Sequence, residues 1–136
     1  MTRAGFAVSI ASTLFAATVA VSLSLPAYGQ QAGLDGSWSG SGRVTLPSGA
    51  TESARCRATF RRQSGNTVGM SAQCATASVR IAQTAALARV GANRFTGDFY
   101  NAEYAMSGTI TITVHGNKLN ASLSGGGGSA SFALSK

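Results

Sequence analysis

The chain has 136 residues, enough for one domain after a targeting segment, and carries 11 Lys and Arg against four Asp and Glu. Its formal net charge of +7 favours anionic partners and says nothing about the fold. A single His and two Cys leave few groups with which to build a metal site.

The first 29 residues are typical of a secretory signal helix. Arg3 gives a positive start, residues 4–23 are apolar and uncharged, and Pro26 precedes the small-residue cleavage motif Ala27-Tyr28-Gly29. We therefore expect a cleaved signal over 1–29, a folded domain over 30–136, and a periplasmic or secreted bacterial protein. A retained membrane anchor is the alternative, but the apolar run is only marginally long enough to span a bilayer. Once the signal is removed, no transmembrane anchor is expected.

Beyond Leu34 the chain forms short runs of alternating apolar and polar residues, separated by Gly, Asn, Ser and Pro about every ten residues. This spacing is typical of an all-β sandwich or barrel. In the first three runs the apolar residues occupy even positions, so one face of each strand is buried. Turns at 47–50 and 64–66 predict these cross-strand partners: Trp38 with Phe60, Gly42 with Cys56, Arg43 with Arg55, and Phe60 with Met70.

Cys56 and Cys74 lie at equal distances from Gly65, so the hairpin places them opposite each other. Two cysteines in an exported chain indicate a disulfide. Metal binding and redox catalysis are poor alternatives, because the sequence has no C-x-x-C motif and one His. Closing this loop contributes about 3 kcal/mol in the chain-entropy model.

Residues 78–90 are ambiguous, since their apolar positions fit both a strand and one face of a helix. We favour a strand, because its β neighbours on both sides need a strand to pair with.

Asn101-Ala102 predicts a turn that sets Phe99 opposite Tyr104. Gly116-Asn117 is a two-residue hairpin turn. It predicts the pairs Val114 with Leu119, Ile112 with Ala121, and Ile110 with Leu123, and a further hairpin follows at 125–128.

These runs predict a small eight-stranded antiparallel up-and-down barrel with one disulfide, because closing the sheet removes its exposed edges. The inward residues are mostly Ala, Gly, Val and Ile. We therefore expect a narrow, filled barrel without a roomy ligand cup.

Gly36-Ser37-Trp38 resembles the G-x-W opening of lipocalin-like (calycin) barrels. The whole domain, notably G-S-W-S-G-S-G-R-V, A-R-C-R-A and V-G-A-N-R-F-T-G-D-F-Y-N-A-E-Y, is similar to small secreted alphaproteobacterial proteins of unknown function. Trp38, Cys56 and Cys74 also fit the outline of exported metalloprotease inhibitors of Gram-negative bacteria. Those inhibitors carry a later tryptophan and a longer N-terminal arm, which this chain lacks.

The sequence offers no catalytic constellation, and we expect neither an enzyme nor a cofactor. His115 flanks a turn and is expected to be exposed there. One His and a bridged cysteine pair cannot supply the three or four donors of a zinc site. Ser and Thr are abundant, but no base is available to activate one of them.

The arginines are the one cluster of potential ligand-binding side chains that the sequence predicts. Odd positions on the first two strands point outward, which places Arg43, Arg55, Arg57 and Arg61 on one outer face. Guanidinium groups bind phosphate and carboxylate by paired hydrogen bonds, so this face is a candidate anion-binding site. The alternative is a solvated face that only keeps the protein soluble.

We therefore expect a non-enzymatic exported binding module for an anionic envelope component, such as lipopolysaccharide, a lipid head group or an acidic glycan, or for an exported protein. We do not expect nucleic acid as a partner in that compartment, and aromatic residues are not interleaved with the arginines as in single-strand binders. The alternative function is inhibition of an exported protease or lysozyme.

Overall fold

Alternating side chains organise the domain into eight β-strands in this computed structural model. The structure describes residues 33–136, together with residues 5, 14, 16, 17 and 19–22. Most of the predicted signal helix, including its cleavage motif, lies outside the described residues. The strands are β1 (Gly36–Thr45), β2 (Thr51–Ser64), β3 (Thr67–Ala75), β4 (Arg80–Arg89), β5 (Arg94–Asn101), β6 (Met106–His115), β7 (Lys118–Gly125) and β8 (Gly128–Ser135).

The eight strands pair in sequence order, and β1 closes the barrel by pairing with β8. Every pair is antiparallel, so the predicted closed up-and-down barrel is confirmed. The ambiguous segment 78–90 is also a strand, as predicted, because β4 fills the gap between β3 and β5. The described part contains no helix long and apolar enough to cross a membrane.

Tight turns fix the strand register where the sequence predicted it. Cys56 pairs with Cys74 and the two form a disulfide, as expected. Phe60 pairs with Met70 around the Gly65-Asn66 turn. All three predicted apolar pairs of the β6–β7 hairpin are present as well.

Two of the predicted registers are wrong. In the first hairpin, Trp38 pairs with Ala58 and Arg43 with Ser53, a shift of two residues from the predicted pairing. The β5–β6 connection is a four-residue turn over 102–105, so Phe99 faces Gly108 and not Tyr104. An even shift preserves which face each side chain occupies, so the predicted inside and outside of β1 are unchanged.

The glycine beside the disulfide is Gly40, not Gly42. A side chain at Gly40 would collide with the backbone of β8, at the Ala133 carbonyl oxygen and at Leu134 Cα, 2.9 Å from the added carbon. The absence of a side chain at Gly40 therefore allows β1 and β8 to approach each other.

Large apolar side chains gather at one end of the barrel, which we call the closed end. This end carries the chain turns at 65–66, 90–93 and 116–117. Trp38 Nε1 donates a hydrogen bond of 2.9 Å to the Leu34 carbonyl oxygen, and Leu34 itself is 2 % exposed. The fully buried side chains that fill this half are Trp38, Phe60, Leu87, Phe95, Ile112, Val114 and Leu119.

The opposite end, which we call the open end, carries the loops 46–50, 76–79, 102–105 and 126–127. Inward positions there include the small residues Ala54, Ala85, Gly108 and Ala130. A cavity of about 240 Å³ lies at this end, lined by Ala130 together with larger residues such as Phe99 and Phe132, and we call it the end cavity. The expectation of a barrel filled throughout is therefore wrong at this end, because the inward side chains there leave a space between them.

Candidate anion-binding face

The outer face of β2 carries three of the predicted arginines in a row. The strand alternates buried even positions with exposed odd ones, so Arg55, Arg57 and Arg61 all point away from the core. Residues two apart on a strand lie about 6.5 to 7 Å from each other. The guanidinium groups of Arg55 and Arg57 can therefore reach one ligand group or two adjacent ones.

Neighbouring strands extend this row on both sides. Arg43 pairs with Ser53 and lies diagonally from Arg55, at about 7 to 8 Å between backbones. On the other side, Ala75 pairs with both Arg55 and Arg80, so Arg80 lies two strands away from Arg55. Two strand spacings make about 9.5 Å. The structure thus adds Arg80 to the predicted set, and we call Arg43, Arg55, Arg57, Arg61 and Arg80 the basic wall.

The basic wall is exposed and is not neutralised by neighbouring side chains. All five arginines are exposed, and none of them forms an ion pair or a hydrogen bond with another described residue. The direct cross-strand neighbours of Arg55 and Arg57 are Ser41, Ala75, Ser39 and Gln73, which are short or uncharged. Like charges this close repel each other. An anion placed between them would remove that repulsion.

One carboxylate lies near the basic wall. The β5–β6 loop brings Glu103 to the rim of an open depression that Arg55, Arg57 and Arg80 also line. Glu52 is engaged elsewhere, since its two carboxylate oxygens accept hydrogen bonds from Ser78 Oγ at 3.0 and 3.2 Å. The wall therefore keeps an excess of positive charge and has one acidic edge.

The remaining residues singled out in the sequence do not belong to the basic wall. Cys56 and Cys74 are each 7 % exposed, and their disulfide points into the barrel. His115 is exposed at the end of β6, beside the Gly116-Asn117 turn. In the part of the chain that the structure describes, no group of three His, Cys, Asp or Glu side chains could hold a metal ion.

Known proteins resemble this chain in fold, but none of them assigns it to a family. No protein-family model matches the chain, and no curated protein does. Among solved structures, the chain is similar to a redesigned β-barrel, mFAP1, bound to DFHBI, with a TM-score of 0.64 and 14% identity over 76% of this chain and 94% of that one.

The chain is also similar to a fluorescence-activating β-barrel of de novo design. The TM-score is 0.58 with 8% identity, over 75% of this chain and 92% of that one. The protein therefore shares the eight-stranded antiparallel barrel architecture of these designed proteins. At such identities the likeness concerns the fold alone.

Proposed function

We propose that this protein is a non-enzymatic, exported binding module whose basic wall binds an anionic component of the bacterial envelope. The candidate partners are lipopolysaccharide, a lipid head group and an acidic glycan. One observation carries the proposal. The five exposed arginines of the basic wall lie on β1, β2 and β4, within four consecutive strands of the barrel, and none has an ion-pair or hydrogen-bond partner among residues 33–136. A disulfide inside the barrel suits an oxidising compartment outside the cytoplasm.

Long-range attraction and short-range hydrogen bonding both support this function. The formal net charge of +7 attracts polyanions, and salt weakens that attraction as the Debye length falls from about 10 Å at 0.1 M to about 3 Å at 1 M. At contact, the planar guanidinium forks bind phosphate or carboxylate oxygens in pairs. A rigid sheet holds the backbones of Arg55 and Arg57 at a fixed separation, so only their side chains must be ordered on binding.

Replacing Arg55 and Arg57 together by serine tests the proposal. Each basic residue near an anionic surface contributes about 1 kcal/mol, so we expect the double variant to bind phosphatidylglycerol vesicles about 30-fold more weakly than the parent chain. Thermal stability should stay the same or rise slightly, because two mutually repelling charges are removed. Co-sedimentation with vesicles, repeated at increasing salt, measures the first effect, and thermal unfolding measures the second.

The matched control is the double variant Arg94→Ser/Lys118→Ser, which removes the same charge from exposed positions on β5 and β7. We expect it to retain most of the binding. Equal losses of vesicle affinity in the two double variants would show that binding depends on net charge alone. Full binding by Arg55→Ser/Arg57→Ser would show that the basic wall is not the binding site. Competition with a soluble acidic polysaccharide distinguishes a glycan from a lipid head group.

Inhibition of an exported protease or lysozyme stays a prediction. The described part of the N-terminal arm, residues 33–35, lies against the closed end, where Leu34 is buried. Lys136 Nζ donates a hydrogen bond of 2.6 Å to the Asp35 carbonyl oxygen, which holds this stretch in place. No observation on these residues favours inhibition over anion binding.

A further inference from the structure

The end cavity has the features of a small-molecule site. It has a volume of about 240 Å³ at the open end of the barrel, and its lining is mostly apolar. Apolar residues that line it include Val44, Ile81, Phe99, Leu123 and Phe132. For scale, a dry cavity of about 150 Å³ takes up benzene. The end cavity is therefore large enough for a compound of roughly 8 to 12 non-hydrogen atoms.

Two carboxamides interrupt this apolar wall at the same place. The pairing of β4 with β5 ends at Thr84 and Tyr100, and the next inward positions on the two strands are Gln83 and Asn101. Both line the end cavity. Asn101 is 2 % exposed and is the one polar or charged residue that counts as buried among the described residues.

The hydrogen bonding of Asn101 decides which of its atoms is available. Its Oδ1 accepts a hydrogen bond of 2.9 Å from the backbone N–H of Tyr104, which holds the β5–β6 loop at the mouth of the cavity. Its amide nitrogen has no partner among the described residues, and neither has the Gln83 carboxamide. Asn101 thus presents N–H donors to an occupant, and Gln83 presents a donor or an acceptor.

The absence of charged residues from the cavity lining restricts the charge of the ligand. Among the residues that the structure describes, no Lys, Arg, Asp or Glu lines the end cavity. A charged ligand would lose its hydration there without gaining a partner charge. From this geometry we infer that the end cavity binds a small, neutral aromatic or alicyclic compound with a carbonyl group, whose oxygen accepts hydrogen bonds from Asn101 and Gln83.

This site is distinct from the basic wall, because no arginine lines it and the carboxamides of Gln83 and Asn101 lie at inward positions. The two proposals can therefore fail separately. The Arg55→Ser/Arg57→Ser variant is expected to bind the neutral compound as tightly as the parent chain, in the absence of any lipid.

A pair of shape-matched probes tests the inference. Acetophenone carries the carbonyl oxygen, and α-methylstyrene replaces that oxygen with a CH₂ group of similar size. Because each hydrogen bond changes affinity about two- to tenfold, we expect acetophenone to bind at least about fivefold more tightly. Titration of the ¹⁵N-labelled chain, followed by NMR, gives both dissociation constants, and shifts are expected at the backbone amides around Gln83, Phe99 and Asn101.

Two variants locate the site and its selectivity. Gln83→Met keeps the length of the side chain but removes its polar atoms, and is expected to reduce the preference for acetophenone about threefold. Ala130→Leu fills the end cavity and is expected to abolish binding of both probes. If Ala130→Leu does not fold, the Gln83→Met comparison still decides the result.

The inference is overturned by any of three results. The first is no saturable binding of acetophenone up to its solubility. The second is equal affinity of the parent chain for the two probes. The third is binding that is unchanged in a folded Ala130→Leu variant.

Discussion

Replacement of Trp38 by alanine is expected to lower the free energy of unfolding by about 3 to 5 kcal/mol, the range measured for large aromatic residues removed from cores. Trp38 is 1 % exposed and packs at the closed end, where its Nε1 donates to the Leu34 carbonyl oxygen. The ammonium group of Lys136 also lies 5.5 Å from the centroid of the Trp38 ring system. The substitution removes all three interactions at once and opens the closed end.

Urea unfolding followed by circular dichroism measures this effect without needing tryptophan fluorescence. The melting temperature should fall by about 15 °C or more, at about 4 to 8 °C per kcal/mol for a domain of this size. Trp38→Phe is the matched control, because it keeps most of the buried area and loses the hydrogen bond. It is expected to cost about 1 to 2 kcal/mol. A loss below about 1 kcal/mol in Trp38→Ala would mean that the closed end is not packed as described.

Replacement of Gly40 by alanine is expected to cost about 3 kcal/mol, at the upper end of the range for overpacked sites. The added methyl group would meet the Ala133 carbonyl oxygen and Leu134 Cα, which are both backbone atoms of β8 and cannot rotate away. Relief therefore requires β1 and β8 to separate, and this strand pair closes the barrel. Urea unfolding measures the loss.

Gly91→Ala is the control for the Gly40 substitution. A methyl group at Gly91 would lie 3.6 Å from Arg94 Cβ, an ordinary contact, so its effect should stay within about 0.5 kcal/mol. Similar stabilities of Gly40→Ala and Gly91→Ala would contradict the close approach of the first and last strands.

Local chemistry made most of the fold predictable. Gly116-Asn117 fixes a two-residue turn, and a two-residue turn leaves one register for Ile112 and Ala121. Longer connections do not fix the register in this way. The β1–β2 turn and the 102–105 turn each admit several registers, and both were predicted incorrectly. The faces of β1 were still correct, because the error was an even number of residues.

The candidate sites were predictable only in part. The outward positions of Arg55 and Arg57 follow from alternation along one strand, which the sequence displays directly. Arg80 was missed because its position two strands away from Arg55 depends on two strand registers. The end cavity was missed for a different reason. Its volume depends on how all eight strands close, which no single strand of the sequence displays.

If the basic wall is the anion-binding site, a footprint of the bound ligand on the folded chain must be centred on it. The measurement is an NMR comparison of the ¹⁵N-labelled protein with and without phosphatidylglycerol nanodiscs. We expect backbone signals of β2, β3 and the start of β4 to shift or broaden, centred on Arg55, Arg57 and Arg80, while those of β6 and β7 stay unchanged. Changes centred on β6 and β7, or spread evenly around the barrel, would contradict it.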